Sequence, residues 1–81
     1  MVIQVTVRNR EGLLLREEVE SVRLPGVRGE FEVMSFHVPF VALLAPGRLW
    51  VGSRRLAIQG GLAWLRGNRL KVRVETRGEA G

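Results

Sequence analysis

Residues Arg69 to Glu75 alternate without a fault: Leu70, Val72 and Val74 on one side, Arg69, Lys71, Arg73 and Glu75 on the other. A period of two places successive side chains on opposite faces of an extended backbone, so this segment buries one face only as a strand. Two further stretches obey the same rule. Ile3, Val5 and Val7 share a face opposite Gln4, Thr6 and Arg8, and Phe31 and Val33 alternate with Glu30, Glu32 and Met34. A chain with three such segments is committed to sheet, and the rest of it has to pack on that sheet.

The connections carry their own signals. Leu24 to Gly47 holds every proline, every phenylalanine and the sole histidine. Pro25-Gly26 and Pro46-Gly47 read as turns, proline fixing φ at the first position and glycine supplying a positive φ at the next. Pro39 blocks a helix start at Val38 and hands over to the apolar run Phe40 to Leu44. Asn9 to Gly12 and Arg66 to Asn68 are further turns, and Gly52-Ser53 between two apolar runs has the pattern of a type II′ hairpin. Gly60-Gly61, before the strand Leu62 to Leu65, points to a bulge or a close backbone approach.

Residues 13–24 admit two readings. Leu15, Val19 and Val22 fall at helical spacing, yet two short strands, Leu13 to Leu15 and Glu20 to Leu24, also fit if a bulge near Glu17-Glu18 absorbs a change of face. Strands are chosen, because everything around the segment is β. The expected fold is therefore all-β, a flattened sandwich of roughly eight to ten short strands. Residues 1–76 would form one domain with a polar tail over 77–81. Ile3, Val5, Val7, Phe31, Val33, Leu43, Leu70, Val72 and Val74 are the expected core.

A chain of 81 residues suffices for one domain, but so short a chain buries only about 60% of its unfolded surface. No cysteine is present, so neither a disulfide nor a thiolate metal site is available. No run approaches the ~20 apolar residues of a membrane span, and Met1 to Gln4 lacks the basic start of a signal peptide. The expectation is a soluble, intracellular protein. The net charge of +5 comes from 13 basic residues, of which Lys71 is the single lysine. They are interleaved with eight acidic residues, all glutamate, without a basic block, so the charge reads as a solvated surface.

Catalytic patterns are absent. Glu30 and Glu32 lie on one face of a strand, whereas a glycosidase pair flanks a cleft. His37 has no second His or Cys for a zinc site, and Ser21, Ser35 and Ser53 sit in no nucleophile motif. No metal or other cofactor is expected. Gly26 to Gly29 fits the G-x-x-G of nucleic-acid-binding KH loops, but that loop needs flanking helices. Trp50 and Trp64 beside the Arg69-Lys71-Arg73 stripe leave one alternative open, a free-standing basic β-module binding single-stranded nucleic acid.

The order of the pieces resembles the epsilon subunit of bacterial and chloroplast F-type ATP synthases. Glu11-Gly12 precedes Val19 to Val22; then come Leu24-Pro25-Gly26, Gly29-Glu30-Phe31, His37, Pro39, Pro46-Gly47, Gly60-Gly61, Asn68 and Val74-Glu75-Thr76. The resemblance implies a sandwich of about ten strands in a non-catalytic central-stalk subunit, peripheral on the cytoplasmic side of the membrane. Its implied partners are the gamma subunit and the c-ring, with no nucleic acid and no insertion into the membrane. By that pattern Pro25, Gly26, Arg28, Gly29 and Glu30 face the c-ring, while Phe36, His37, Val38 and Phe40, an apolar stretch for a surface, face gamma.

Two departures stand out. The family usually has Pro-Gly before this histidine and glycine after the Gly-Glu-Phe triplet. Ser35-Phe36 and Glu32 take those places here, which implies a straighter or bulkier segment. The sequence also stops at Gly81, where family members usually continue into two helices that bind ATP and inhibit hydrolysis. The expectation is a subunit that couples without binding ATP.

Overall fold

The computed structural model describes residues 2–76. All regular elements among them are strands: β1 (Ile3–Asn9), β2 (Gly12–Val19), β3 (Ser21–Gly26), β4 (Gly29–Met34), β5 (Phe40–Leu44), β6 (Gly47–Val51), β7 (Arg54–Ile58), β8 (Gly60–Arg66) and β9 (Arg69–Glu75). They hydrogen-bond in the order β2-β1-β9-β8-β5-β3-β6-β7, with β4 pairing β3 from outside that path. The sheet curls until one face encloses a single core, in the flattened form expected from the alternation. The polar tail expected over 77–81 lies outside the described residues.

The three alternating segments behave as read. Ile3, Val5, Val7, Val33, Leu70, Val72 and Val74 are all buried, together with Val22, Leu24, Leu49, Ile58 and others. β1 and β9 lie parallel, Val5 beside Leu70 and Val7 beside Val72, so the ends of the chain meet in mid-sheet. Turn chemistry fixes the registers. Asn9 Oδ1 accepts the N–H groups of Glu11 (2.9 Å) and Gly12 (3.1 Å), an Asx turn that closes β1–β2. Gly52, at φ 60°, makes the first corner of the two-residue β6–β7 loop, as the type II′ pattern requires.

Four expectations are corrected. Pro25-Gly26 is not a turn: β3 runs through both, and the hairpin bends at Val27-Arg28 with Gly26 opposite Gly29. Neither Gly26 nor Gly47 has a positive φ. Each is small because the chain passes close by. A Cβ on Gly26 would lie 2.8 Å from the Phe31 ring, and one on Gly47 would lie 2.9 Å from Pro25 Cβ. Pro25 is tolerated because it sits where β3 exchanges partners. β6 pairs only Val22 and Arg23, and β5 takes over at Gly26, so no ladder needs the missing N–H.

Second, β2 is one eight-residue strand. Its slip lies at Leu14, between the Val7–Leu15 and Arg8–Leu13 pairs, and not at Glu17-Glu18. Glu17 consequently points inward, opposite Val5. It is accommodated because the two free edges of the curled sheet meet there: Glu17 Oε2 lies 3.2 Å from Arg54 Nε on β7. The approach is off the hydrogen-bonding direction, so this is an ionic contact rather than an aligned bond.

Third, Leu43 is 61% exposed and Leu44 is buried in its place. Ala42 lies opposite Ala63 and Leu44 opposite Gly61, so the inward set of β5 is Phe40, Ala42 and Leu44. A run of five apolar residues has no alternation to reveal its parity, and a shift of one position exchanges the two faces. Fourth, Phe31 is only partly buried, packed on the rim of the core.

Gly60-Gly61 confirms the close approach. A Cβ on Gly61 would collide with the carbonyl oxygen of Arg73 and come within 3.0 Å of Val74 Cα. Only glycine lets β8 lie against β9 there.

Candidate functional site

Where β3 ends, the hairpin tip Val27-Arg28 folds against β5. The Val27 N–H donates to the Leu43 carbonyl (3.0 Å), and the Ala45 N–H donates to the Pro25 carbonyl (2.7 Å). These two bonds fix the tip beside the start of β5 and leave an open groove of about 490 Å³, walled chiefly by Val27, Phe31, His37, Phe40, Val41 and Leu43.

Two sets of residues expected to serve different partners meet at this groove. Gly26, Arg28 and Gly29 line one side, His37 and Phe40 the other. Glu30 is exposed on β4, across the ladder from Pro25. Pro25 itself is a half-buried corner residue packed on Gly47, not an exposed contact. Phe40 faces inward and is half-buried, its ring edge-on to Phe31 at 5.6 Å and to His37 at 5.3 Å. It supports the groove floor. Val27, Val41 and Leu43 were not singled out from sequence. The parity of β5 was the signal that would have found the last two.

The loop from Met34 to Pro39 is the most unusual part of the chain. The His37 N–H donates to the Met34 carbonyl (3.3 Å), so Met34 to His37 form a tight turn. Phe36 is its corner, with φ 67°, the only non-glycine residue with positive φ among the described residues. The expected straightening has not occurred. Phenylalanine has been held in a left-handed turn where the resembling family usually places glycine, at a strain of about 1–2 kcal/mol. The ring gains nothing at home, since Phe36 is 75% exposed and its neighbour Val38 is 69% exposed. His37 is exposed too, with Nδ1 2.9 Å from the Val38 carbonyl, which orients the ring over Phe40. A strained backbone that displays an unburied aromatic ring is the geometry of a contact surface, not of a reaction centre.

The two tryptophans do not form one platform. Trp50 lies on β6 with the Arg55 guanidinium 5.8 Å from its ring, and Trp64 lies on β8 opposite Lys71, three strands away along the sheet. Among the described residues no group of three His, Cys, Asp or Glu side chains could hold a metal ion, and no helix is long and apolar enough to cross a membrane.

Fold and surface together define a small, strand-only adhesion module with its apolar contact residues on one corner. The sequence pattern of the family described as "ATP synthase, Delta/Epsilon chain, beta-sandwich domain" matches residues 2–79, and the chain belongs to that family. The ATP synthase epsilon chain of Anaeromyxobacter sp. (strain K) is 36% identical over 85 residues, covering 100% of this chain and 64% of that protein. The epsilon chain of Maridesulfovibrio salexigens is 30% identical over 84 residues, covering 99% of this chain and 58% of its own length. The chain thus spans less than two thirds of the length of these relatives. Among solved structures, a chain of the Euglena gracilis mitochondrial ATP synthase (OSCP/F1/c-ring) superposes with a TM-score of 0.80 at 25% identity, covering 90% of this chain and 50% of that one. A chain of the Tetrahymena thermophila mitochondrial ATP synthase central stalk/c-ring has a TM-score of 0.76, covering 96% of this chain and 72% of that one. At 14% identity it attests the fold alone.

Proposed function

We propose that this chain is a central-stalk subunit of an F-type ATP synthase that performs no chemistry itself and ties the gamma subunit to the c-ring, so that ion flow and ATP synthesis or hydrolysis stay coupled. In this reading the 36–38 loop and the groove beneath it receive gamma, and the hairpin tip with Arg28 and Glu30 rests on the polar loops of the c-ring. The protein is then peripheral to the membrane, on the cytoplasmic side, through its complex. Family membership supports the reading, as do the titles of the two superposed structures, which name a c-ring.

The observation that carries it is the strained, exposed Phe36. A rotor element transmits torque through rigid faces, and an aromatic ring on a fixed turn offers apolar area at little further cost in entropy. The test is reconstitution into a synthase depleted of its epsilon subunit. Coupled synthesis should return with the wild-type chain, and it should return poorly with Phe36→Ser or with Glu30→Arg. Full restoration by both variants would remove the corner from the mechanism.

A further inference from the structure

The outward face of β2-β1-β9-β8-β5 is divided in two, and sequence order hides the division. Strand register sets Val41 beside Trp64 and Leu43 beside Leu62. It then places Trp64 beside Lys71, Leu62 beside Arg73 and Arg66 beside Arg69. Thr6 and Arg8 follow on β1 next to Lys71 and Arg73, and Arg16 lies opposite Thr6 on β2. One half of the face is therefore apolar: Val41, Leu43, Leu62 and Trp64. The other half is cationic: Arg8, Arg16, Arg66, Arg69, Lys71 and Arg73, all exposed. Acidic residues on the same face are Glu18, beside Gln4, and Glu75 at the end of β9. Most of the cationic half, with Trp64 at its border, lines a shallow depression of about 570 Å³.

We propose that this divided face is a docking surface, separate from the hairpin-tip groove, for a protein surface on which a row of aliphatic side chains lies beside a row of carboxylates. Charge complementarity sets the second row. Six neighbouring cations on three strands repel one another, and carboxylates opposite them relieve that repulsion and steer encounter. The apolar half selects protein over nucleic acid. Val41 and Leu43 are 73% and 61% exposed, and a sugar-phosphate strand has no aliphatic row to cover them. Trp64 alone would give only one base a ring to stack on. The inference rests on the stalk-subunit reading and adds a partner surface to it.

Lys71, the single lysine, stands at the centre of the face and makes a direct probe possible. The chain is incorporated into epsilon-depleted synthase and treated with a water-soluble carbodiimide, which joins an amine to a carboxylate in direct contact. The expected result is a Lys71 crosslink to an Asp or Glu of another subunit. It should be lost in Lys71→Arg, which still incorporates, and largely lost in Arg69→Glu/Arg73→Glu. Both variants change only outward positions on a strand whose buried side is untouched. If the chain incorporates while Lys71 forms no crosslink and is acetylated as fast as in the free chain, the inference falls and the stalk reading stands. If the chain does not incorporate, both fall. Binding of a labelled oligothymidine at physiological salt, abolished by Arg69→Glu/Arg73→Glu, would also overturn the commitment to a protein partner.

Discussion

Replacing Phe36 by glycine separates strain from adhesion, because the two respond with different signs. At φ 67° phenylalanine carries about 1–2 kcal/mol of backbone strain, which glycine removes. Glycine loses more chain entropy on folding, at a cost of about 0.5–1 kcal/mol. The ring is 75% exposed, so deleting it forfeits only about 0.5 kcal/mol of existing burial. These terms nearly cancel, and the stability of Phe36→Gly should stay within about 1 kcal/mol of the parent, or a few degrees in Tm. Phe36→Asn, which tolerates positive φ without the full glycine penalty, should be equal or slightly better. Binding to isolated gamma should move the other way. If the partner covers the exposed three quarters of the ring, its loss costs about 1–2 kcal/mol, roughly 5- to 30-fold in Kd. Calorimetric titration of gamma beside thermal unfolding of the free chain reads both quantities. A fall in stability of more than about 2 kcal/mol would mean that the ring belongs to a local core. Unchanged stability with unchanged gamma affinity would mean that it serves no partner there.

Leu43 and Leu44 should differ sharply under the same substitution: Leu44→Ala should cost about 2–5 kcal/mol in chemical denaturation, and Leu43→Ala about 0.5 kcal/mol or less. Gly61→Ala should destabilise by at least about 2–3 kcal/mol, because the new methyl meets the backbone of Arg73 and Val74, which cannot swing aside; equal stability would refute the close approach. Glu17→Leu should change stability by about 1 kcal/mol or less, since its ion pair is partly solvated. It should nevertheless raise concentration-dependent association measured by light scattering, because an inward charge on a free edge strand discourages pairing between molecules.

The strand plan was legible wherever a polar residue marked every second position. β1, β4 and β9 could be assigned a buried face residue by residue because Gln4, Glu32 and Lys71 interrupt the apolar pattern. Legibility stopped where the pattern became uniform. Phe40 to Leu44 contains no polar residue, so its parity depended on β8, whose glycine at 61 and alanine at 63 accept Leu44 and Ala42 across the ladder. The slip in β2 was equally hidden: three successive leucines leave open which one is extruded, and the partner strand decides. The Pro-Gly pairs misled for a different reason. Glycine answers both a demand for positive φ and a demand for space, and at 26 and 47 the demand is for space created by residues far along the chain.

The functional surface was legible only in pieces. Sequence could show that Phe36, Val38 and Phe40 form an apolar stretch and that a proline-glycine pair was missing before His37. It could not show that Phe40 turns inward while Phe36 turns outward on a strained corner, since that depends on the hydrogen bond from His37 to Met34. Nor could it join the 25–30 segment to the 36–40 segment, which meet only because two backbone bonds fasten the hairpin tip to β5. The meeting has a mechanical consequence for the proposed role. If gamma seats on one wall of the groove and the c-ring on the hairpin beside it, load passes between the partners through Pro25, Gly26 and β5, across a few residues of hydrogen-bonded backbone. A subunit that has to hold two rotating parts in register gains stiffness from so short a path. The Pro25–Gly47 contact then braces the corner where that load turns from one layer of the sheet into the other.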